Sequence, residues 1–277
     1  MTKQQPKIAL ITGAAGGIGQ QYARVCARKS WDVVIVDIDG NKLSILADNL
    51  RKEFPDIQIY PFKCNLSEED SAEQCLAFCD EHHLNVDFLI NNAGIFFFDP
   101  LIDADMERVT RMMNIHMRCV TKMCMLFGDR MKQRRFGYIL NMSSMSAWMA
   151  MPGISIYNAS KAYIRSMSRA IYFELKPWNV HVTAVCPGAI NTPLFNLPDN
   201  IRNLLLRVGI IMQPEKLAQK AIKATLKEKI QTVPGLSNHL WIFLVKNLPN
   251  CLVSFIMKRV KFYDRFWKMT EDTKSPE

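Results

Sequence analysis

Ile8-Ala9-Leu10-Ile11-Thr12-Gly13-Ala14-Ala15-Gly16-Gly17-Ile18-Gly19 is the stretch that decides how this chain folds. Four apolar residues make a short buried strand, and a helical pattern over residues 17–29 follows the glycines at once. Gly13 permits a sharp exit from the strand, Gly17 lets a pyrophosphate approach the backbone, and Gly19 lets the helix pack closely on the sheet. The helix N-terminus, Ile18 included, then offers amide donors and a positive dipole end to the phosphates. A glycine triplet alone is weak evidence, but this one sits at a strand–helix junction. A second strand, Val33–Val36, runs into Asp37, 18 positions after Gly19, where a carboxylate can accept hydrogen bonds from a ribose. Together they predict a dinucleotide site.

Asp37 also bears on which dinucleotide. A carboxylate repels a 2′-phosphate, Ile38 rather than a basic residue follows it, and no basic residue stands just before Gly17. NAD(H) is therefore expected over NADP(H).

Outward from this unit the same alternation continues. Strand-like runs recur at Gln58–Pro61, Val86–Ile90, Tyr138–Met142, Val180–Val185 and Gln231–Val233, with helical stretches such as Asn41–Phe54 and Ser67–Glu81 between them. This predicts an α/β fold: a doubly wound, mostly parallel, seven-stranded sheet with helices on both faces. Val33–Val36 and Val86–Ile90 are apolar on both faces, as burial in a parallel sheet requires. No repeat or linker interrupts residues 1–235, which read as one domain, with 236–277 a helical appendage.

The chain has 277 residues, 49% of them hydrophobic and 22% charged, enough to bury a core. The first strand begins so near Met1 that no cleavable leader is expected, and residence in the cytoplasm follows. Eight cysteines are scattered through apparent helices and strands, unlike a short secreted disulfide scaffold. Cys75 and Cys79, near His82 and His83, share a helix face with Ala72, so they read as core and no metal is expected.

Three further motifs carry chemistry. Asn91-Asn92-Ala93-Gly94 follows the fourth strand, Ser144 ends the fifth, and Tyr157-x-x-x-Lys161 lies 13 positions after that serine. With the glycine pattern they make residues 6–235 resemble the short-chain dehydrogenase/reductase family. The resemblance implies an oxidoreductase interconverting a secondary alcohol and a ketone. It assigns Tyr157 as acid/base, Lys161 as its partner, Ser144 as the serine and Asn114 as the asparagine of the helix after the fourth strand. It also places Asn92, Ala93 and Gly94 under the cofactor, and Pro187, Gly188, Ile190 and Thr192 at the nicotinamide carboxamide. Asn65-Leu66 stands where the family usually has Asp-Leu or Asp-Val, and Asn65 could still offer an acceptor to the adenine amine.

The chemistry of these residue types agrees. Tyr157 and Lys161 share a helix face at i, i+4. A phenol ionises near pH 10, and a nearby ammonium together with an oxidised nicotinamide would lower that value. Ser144 could donate to a developing alkoxide, and Asn114 could hold a water joining Lys161 to solvent. Cys186 has no apparent histidine or carboxylate partner and reads as a buried strand residue.

Segments expected to face the substrate are apolar: Ile95–Phe98, then Met145, Trp148, Met149 and Met151, then Leu194, Phe195 and Leu197. Phe96, Met145, Trp148, Met151 and Phe195 are the candidate wall. They suit a bulky lipophilic alcohol or ketone, such as a hydroxysteroid, bile acid, retinoid or acyl compound, better than a sugar. An NADP-dependent acyl-chain ketoreductase is the runner-up. A silent dinucleotide-binding protein, or one merely recruited to membranes, is the alternative from another class.

The net charge is +9, and part of the excess lies among aromatics near the C-terminus: Lys258, Arg259, Lys261, Phe262, Tyr263, Arg265, Phe266, Trp267 and Lys268. Such a segment either lies on a membrane surface or covers the active-site mouth or a subunit contact. The family resemblance implies a homodimer or homotetramer through the long helices carrying Asn114 and Tyr157. No nucleic-acid motif accompanies the charge, and no such partner is expected.

Overall fold

The computed structural model describes residues 7–191, 211–246 and 249–259. Seven strands form one sheet: β1 (Ile8–Thr12), β2 (Asp32–Asp37), β3 (Ile59–Lys63), β4 (Phe88–Asn91), β5 (Gly137–Met142), β6 (Val180–Val185) and β7 (Gln231–Thr232). Their order is β3-β2-β1-β4-β5-β6-β7, and every pairing is parallel. Parallel neighbours need crossovers, which helices α1 (Gly17–Ala27), α2 (Gly40–Glu53), α3 (Ser71–Glu81), α4 (Met106–Met113), α5 (Val120–Arg134), α6 (Ser155–Leu175) and α7 (Pro214–Leu226) supply. Two further helices, α8 (Leu236–Lys246) and α9 (Asn250–Arg259), follow β7.

Residues alternate between two cores across the sheet. Ala9, Ile11, Val33 and Ile35 join Tyr22, Trp31, Leu43 and Leu217 on one side. Leu10, Val34 and Val36 join Cys75, Cys79, Met123 and Phe127 on the other. Cys75 and Cys79 are thus core residues, each 1% exposed. Buried leucines and phenylalanines of this kind each stabilise the fold by about 1.5–3 kcal/mol relative to exposure.

The strand order reverses between β1 and β4, and in open sheets ligands bind beyond the carboxyl ends of the strands at such a switch point. Thr12, Asn91, Met142 and Val185 end β1, β4, β5 and β6 there. One expected boundary shifts: α3 begins at Ser71, not Ser67. Asn65 accepts from Ser67 N at 3.2 Å and from Ser67 Oγ at 2.7 Å, a side-chain turn that delays the helix.

Candidate active site

The glycine loop is built around Thr12 and Asn92. Thr12 Oγ1 accepts from the amides of Asn92 (3.0 Å) and Ala93 (3.1 Å), while Asn92 Nδ2 donates to the carbonyls of Thr12 (3.0 Å) and Gly13 (3.1 Å). Gly13 has φ +64°, and a Cβ there would stand 2.8 Å from Ala93 Cα, so the turn requires glycine. Gly16 caps α1 with no side-chain bond, and Gly16 and Gly17 are exposed. Backbone amides at an uncovered helix start fit a diphosphate. Asp37 stands beside this cradle, its Oδ2 accepting from Ala15 N at 2.9 Å and its Oδ1 from Asp39 N at 3.1 Å. The residues present therefore fit a dinucleotide. Asn65 is a partial exception, because its carbonyl oxygen already holds two donors from Ser67 and leaves little capacity for an adenine amine. Leu66 is buried in the core.

From the end of this cradle a cleft of about 350 Å³ runs between the strand ends. Ile18, Asn92, Gly94, Pro187, Gly188 and Ile190 line it on one side. Ser144, Tyr157 and Lys161 line it as well, so one cleft joins the nucleotide cradle to the expected catalytic groups. α6 carries Tyr157 and Lys161 one turn apart, and Ser144 follows β5. Ser143 Oγ donates to the Lys161 carbonyl at 2.7 Å, and Met145 N donates to the Pro187 carbonyl at 2.8 Å. These bonds lock the serine segment to α6 and to the segment after β6.

Ser144 Oγ accepts from Ser146 N at 3.1 Å. With one lone pair so occupied, the hydroxyl hydrogen is free to point at a neighbouring oxygen. The Ser144 side chain beside Tyr157 pulls the phenol pKa down, but burial outweighs it and raises the pKa overall. Lys161 is 5% exposed and donates from Nζ to the Met142 carbonyl at 3.0 Å. Burial pushes its ammonium down to about 8. The expectation that the lysine lowers the phenol thus meets a different balance. Lys161 Nζ lies 5.5 Å from the Tyr157 ring centre, bonded elsewhere, and desolvation favours the neutral form of each group.

Asn114 does not reach this cleft. Its Nδ2 donates to the Ser67 carbonyl at 3.1 Å, on the side of the segment that faces the start of α3. His116 lines the cleft instead, fully buried. The chain between α4 and α5 is a six-residue π-helix, Asn114–Cys119. His116 falls on the buried stripe Val109, Met112, His116, Cys119, Met123, and Asn114 falls off it. That 3- and 4-residue spacing is visible in the sequence and would have found the histidine.

Phe96, Met145 and Met151 line the cleft, joined by Phe98, Met149 and Ile154. Trp148 does not; it stacks against the Arg165 guanidinium at 4.1 Å from the ring centre. Thr192, Phe195 and the rest of the segment around Leu194 and Leu197 lie outside the described residues.

Residues 7–200 match the model of the short chain dehydrogenase family. The chain belongs to the short-chain dehydrogenase/reductase family. Among its relatives is a 3-oxoacyl-[acyl-carrier-protein] reductase of Thermotoga maritima, 31% identical over 219 residues that cover 77% of this chain and 87% of the relative. Among solved structures it resembles a bulky-bulky ketone specific alcohol dehydrogenase from Comamonas testosteroni, with a TM-score of 0.74 at 25% identity, covering 92% of this chain and 95% of the other. It also resembles a short-chain dehydrogenase from Sphingobium yanoikuyae in complex with NADPH, with a TM-score of 0.75 at 25% identity, covering 92% and 96%. This dehydrogenase is an oxidoreductase acting on alcohol and keto groups, built on a parallel Rossmann-type sheet.

Proposed function

We propose that the protein interconverts a bulky lipophilic secondary alcohol and its ketone with NAD(H), using Tyr157 as acid/base. One observation carries this: the Tyr157 phenol stands with Ser144 and Lys161 in a cleft that begins at the glycine cradle and whose apolar wall is Phe96, Phe98, Met145, Met149, Met151 and Ile154. Flexible methionines and aromatic faces accommodate a large apolar body, and about 350 Å³ lies at the small end of the range for ligand sites.

In the reducing direction Tyr157 gives its hydroxyl proton to the substrate oxygen as that oxygen gains charge. Ser144, its hydroxyl oriented by the Ser146 amide, donates to the same oxygen. Burial favours the protonated phenol, which suits an acid; in oxidation the phenolate must form, and the Ser144 side chain favours it. Lys161 spends one proton on Met142 O and keeps two for ribose hydroxyls. The nicotinamide, when bound, supplies or accepts the hydride. Asp37, its carboxylate held by Ala15 N and Asp39 N, supports the preference for NAD(H), since a 2′-phosphate would meet a fixed negative charge.

α8 packs beside Gly188 on one side and is exposed on the other. Asn238 is buried beside Gly188, whereas Leu240, Trp241 and Leu244 are exposed, as are Leu252 and Phe255 on α9. Among the described residues no helix is long and apolar enough to cross a membrane. These apolar side chains, continued in sequence by Lys258, Arg259, Lys261, Arg265 and Lys268, support peripheral contact with an anionic lipid surface. Exposed Met125 on α5 and Phe173 on α6 support self-association through those helices.

The test is a coupled assay with NAD and NADP across hydroxysteroids, bile acids, retinol, acyl alcohols and 3-oxoacyl thioesters, with polyols as controls. Turnover of a lipophilic alcohol with NAD supports the reading. Turnover of polyols alone would refute it, and turnover of 3-oxoacyl thioesters with NADPH alone would favour the acyl ketoreductase.

A further inference from the structure

We infer that His116, held as a neutral imidazole protonated on Nδ1, is a residue that positions Tyr157 in this enzyme. The inference rests on Tyr157 being the proton-exchanging group.

A chain of hydrogen bonds carries it. Nε2 of His116 lies 3.1 Å from Ile95 N, and since an amide can only donate, Nε2 is an acceptor. A neutral ring then carries its proton on Nδ1, which lies 2.8 Å from Ser160 Oγ. Ser160 Oγ in turn donates to the Tyr157 carbonyl at 2.8 Å. The ring also packs edge-on to the phenol at 5.9 Å between centres. His116 thus grips the catalytic turn of α6 with one nitrogen and the loop after β4 with the other.

The place of the ring is equally constrained. A Cβ built on Gly94 would lie 2.8 Å from His116 Nε2, so glycine makes room for the imidazole. The titratable groups packed on the ring are Lys161 and Tyr157 of α6, and the loop after β4 presents the Ile95 amide. A second cation in this buried space would stand beside the lysine and would lose the amide bond. Burial and the Lys161 charge hold the imidazole pKa well below its ordinary value. His116 sits within the π-helix Asn114–Cys119, and such insertions recur at functional sites.

The experiment has two arms. Nitrogen-15 NMR of the histidine side chains of the full chain, with His116→Asn to assign the signal, reads the ring without substrate or cofactor. The expected result is a neutral Nδ1–H tautomer that does not titrate between about pH 5 and 8. A ring protonated on Nε2, or one that titrates near the ordinary value, overturns the inference. In the second arm His116→Asn, His116→Leu and the milder Ser160→Ala are compared in kcat, KM and NADH binding. His116→Asn should keep turnover, because an amide can accept from Ile95 and donate to Ser160. His116→Leu and Ser160→Ala should each lose roughly tenfold or more in kcat with KM and NADH binding little changed. If His116→Leu fails to fold, Ser160→Ala decides. Wild-type kcat in Ser160→Ala overturns it. Normal turnover in Tyr157→Phe would instead sink the wider reading and leave the tautomer result standing.

Discussion

Lys161 Nζ donates to the Met142 carbonyl oxygen at 3.0 Å, tying the second turn of α6 to the end of β5. The ammonium is buried there against a neutral carbonyl, and burial brings its pKa down from 10.5 to about 8. Between those values the unfolded chain still binds a proton that native Lys161 has released, so stability rises with pH across this window. Lys161→Met removes the titration. The urea midpoint of the wild type should therefore gain on that of the variant between about pH 8 and pH 10. A difference independent of pH would contradict the burial of this charge.

Asn238 makes the second contact of consequence. A Cβ on Gly188 would collide with its side chain, and Asn238 Nδ2 is already held by the Pro234 carbonyl at 2.5 Å. Gly188→Ala should lower the melting temperature by several degrees, as about 1–3 kcal/mol of overpacking does, and weaken NADH binding. Adding Asn238→Ala should recover part of both losses. Equal loss in the double variant would mean that the clash lies elsewhere.

How much of this could be read from the chain alone differs by element. The glycine loop and the parallel sheet implied by alternating runs follow from local patterns whose geometry is rigid, whereas the pairing of Ser144 with Tyr157 came from the family resemblance. A strand–glycine–helix junction has few conformations, and i, i+4 on α6 is fixed by helix pitch. Asn114 and Trp148 stand where no single motif would put them. The Asn114 side chain lies off the buried stripe and bonds the Ser67 carbonyl, and Trp148 stacks on the Arg165 guanidinium. The contact between Asn238 and Gly188 depends on where a helix beyond the sheet comes to rest, which no local spacing encodes.

Asp37→Asn tests the cofactor preference while keeping the bond from Ala15 N, since the amide oxygen can still accept it, although Asp39 N loses its acceptor. Removing the charge should shift the ratio of kcat/KM for NADP over NAD upward by roughly tenfold, about 1.4 kcal/mol. A wild-type enzyme that already prefers NADP, or an unchanged ratio, would show that Asp37 does not discriminate.

The outward face of α8 predicts binding to lipid. Full-length protein should sediment with vesicles containing about one-fifth to one-third phosphatidylserine, less with neutral vesicles, and less again at high salt. Trp241→Ser with Leu244→Ser should abolish it while turnover of a water-soluble ketone persists. Binding that ignores both lipid charge and these substitutions would contradict the assignment.

The central claim is that the Tyr157 hydroxyl moves the proton. The most direct measurement compares wild type and Tyr157→Phe in single-turnover oxidation of NADH by a ketone substrate, with NADH affinity measured by fluorescence in parallel. The account predicts a rate lower by roughly 10²–10⁴-fold, with affinity within about threefold of wild type. A variant that turns over at the wild-type rate would contradict it.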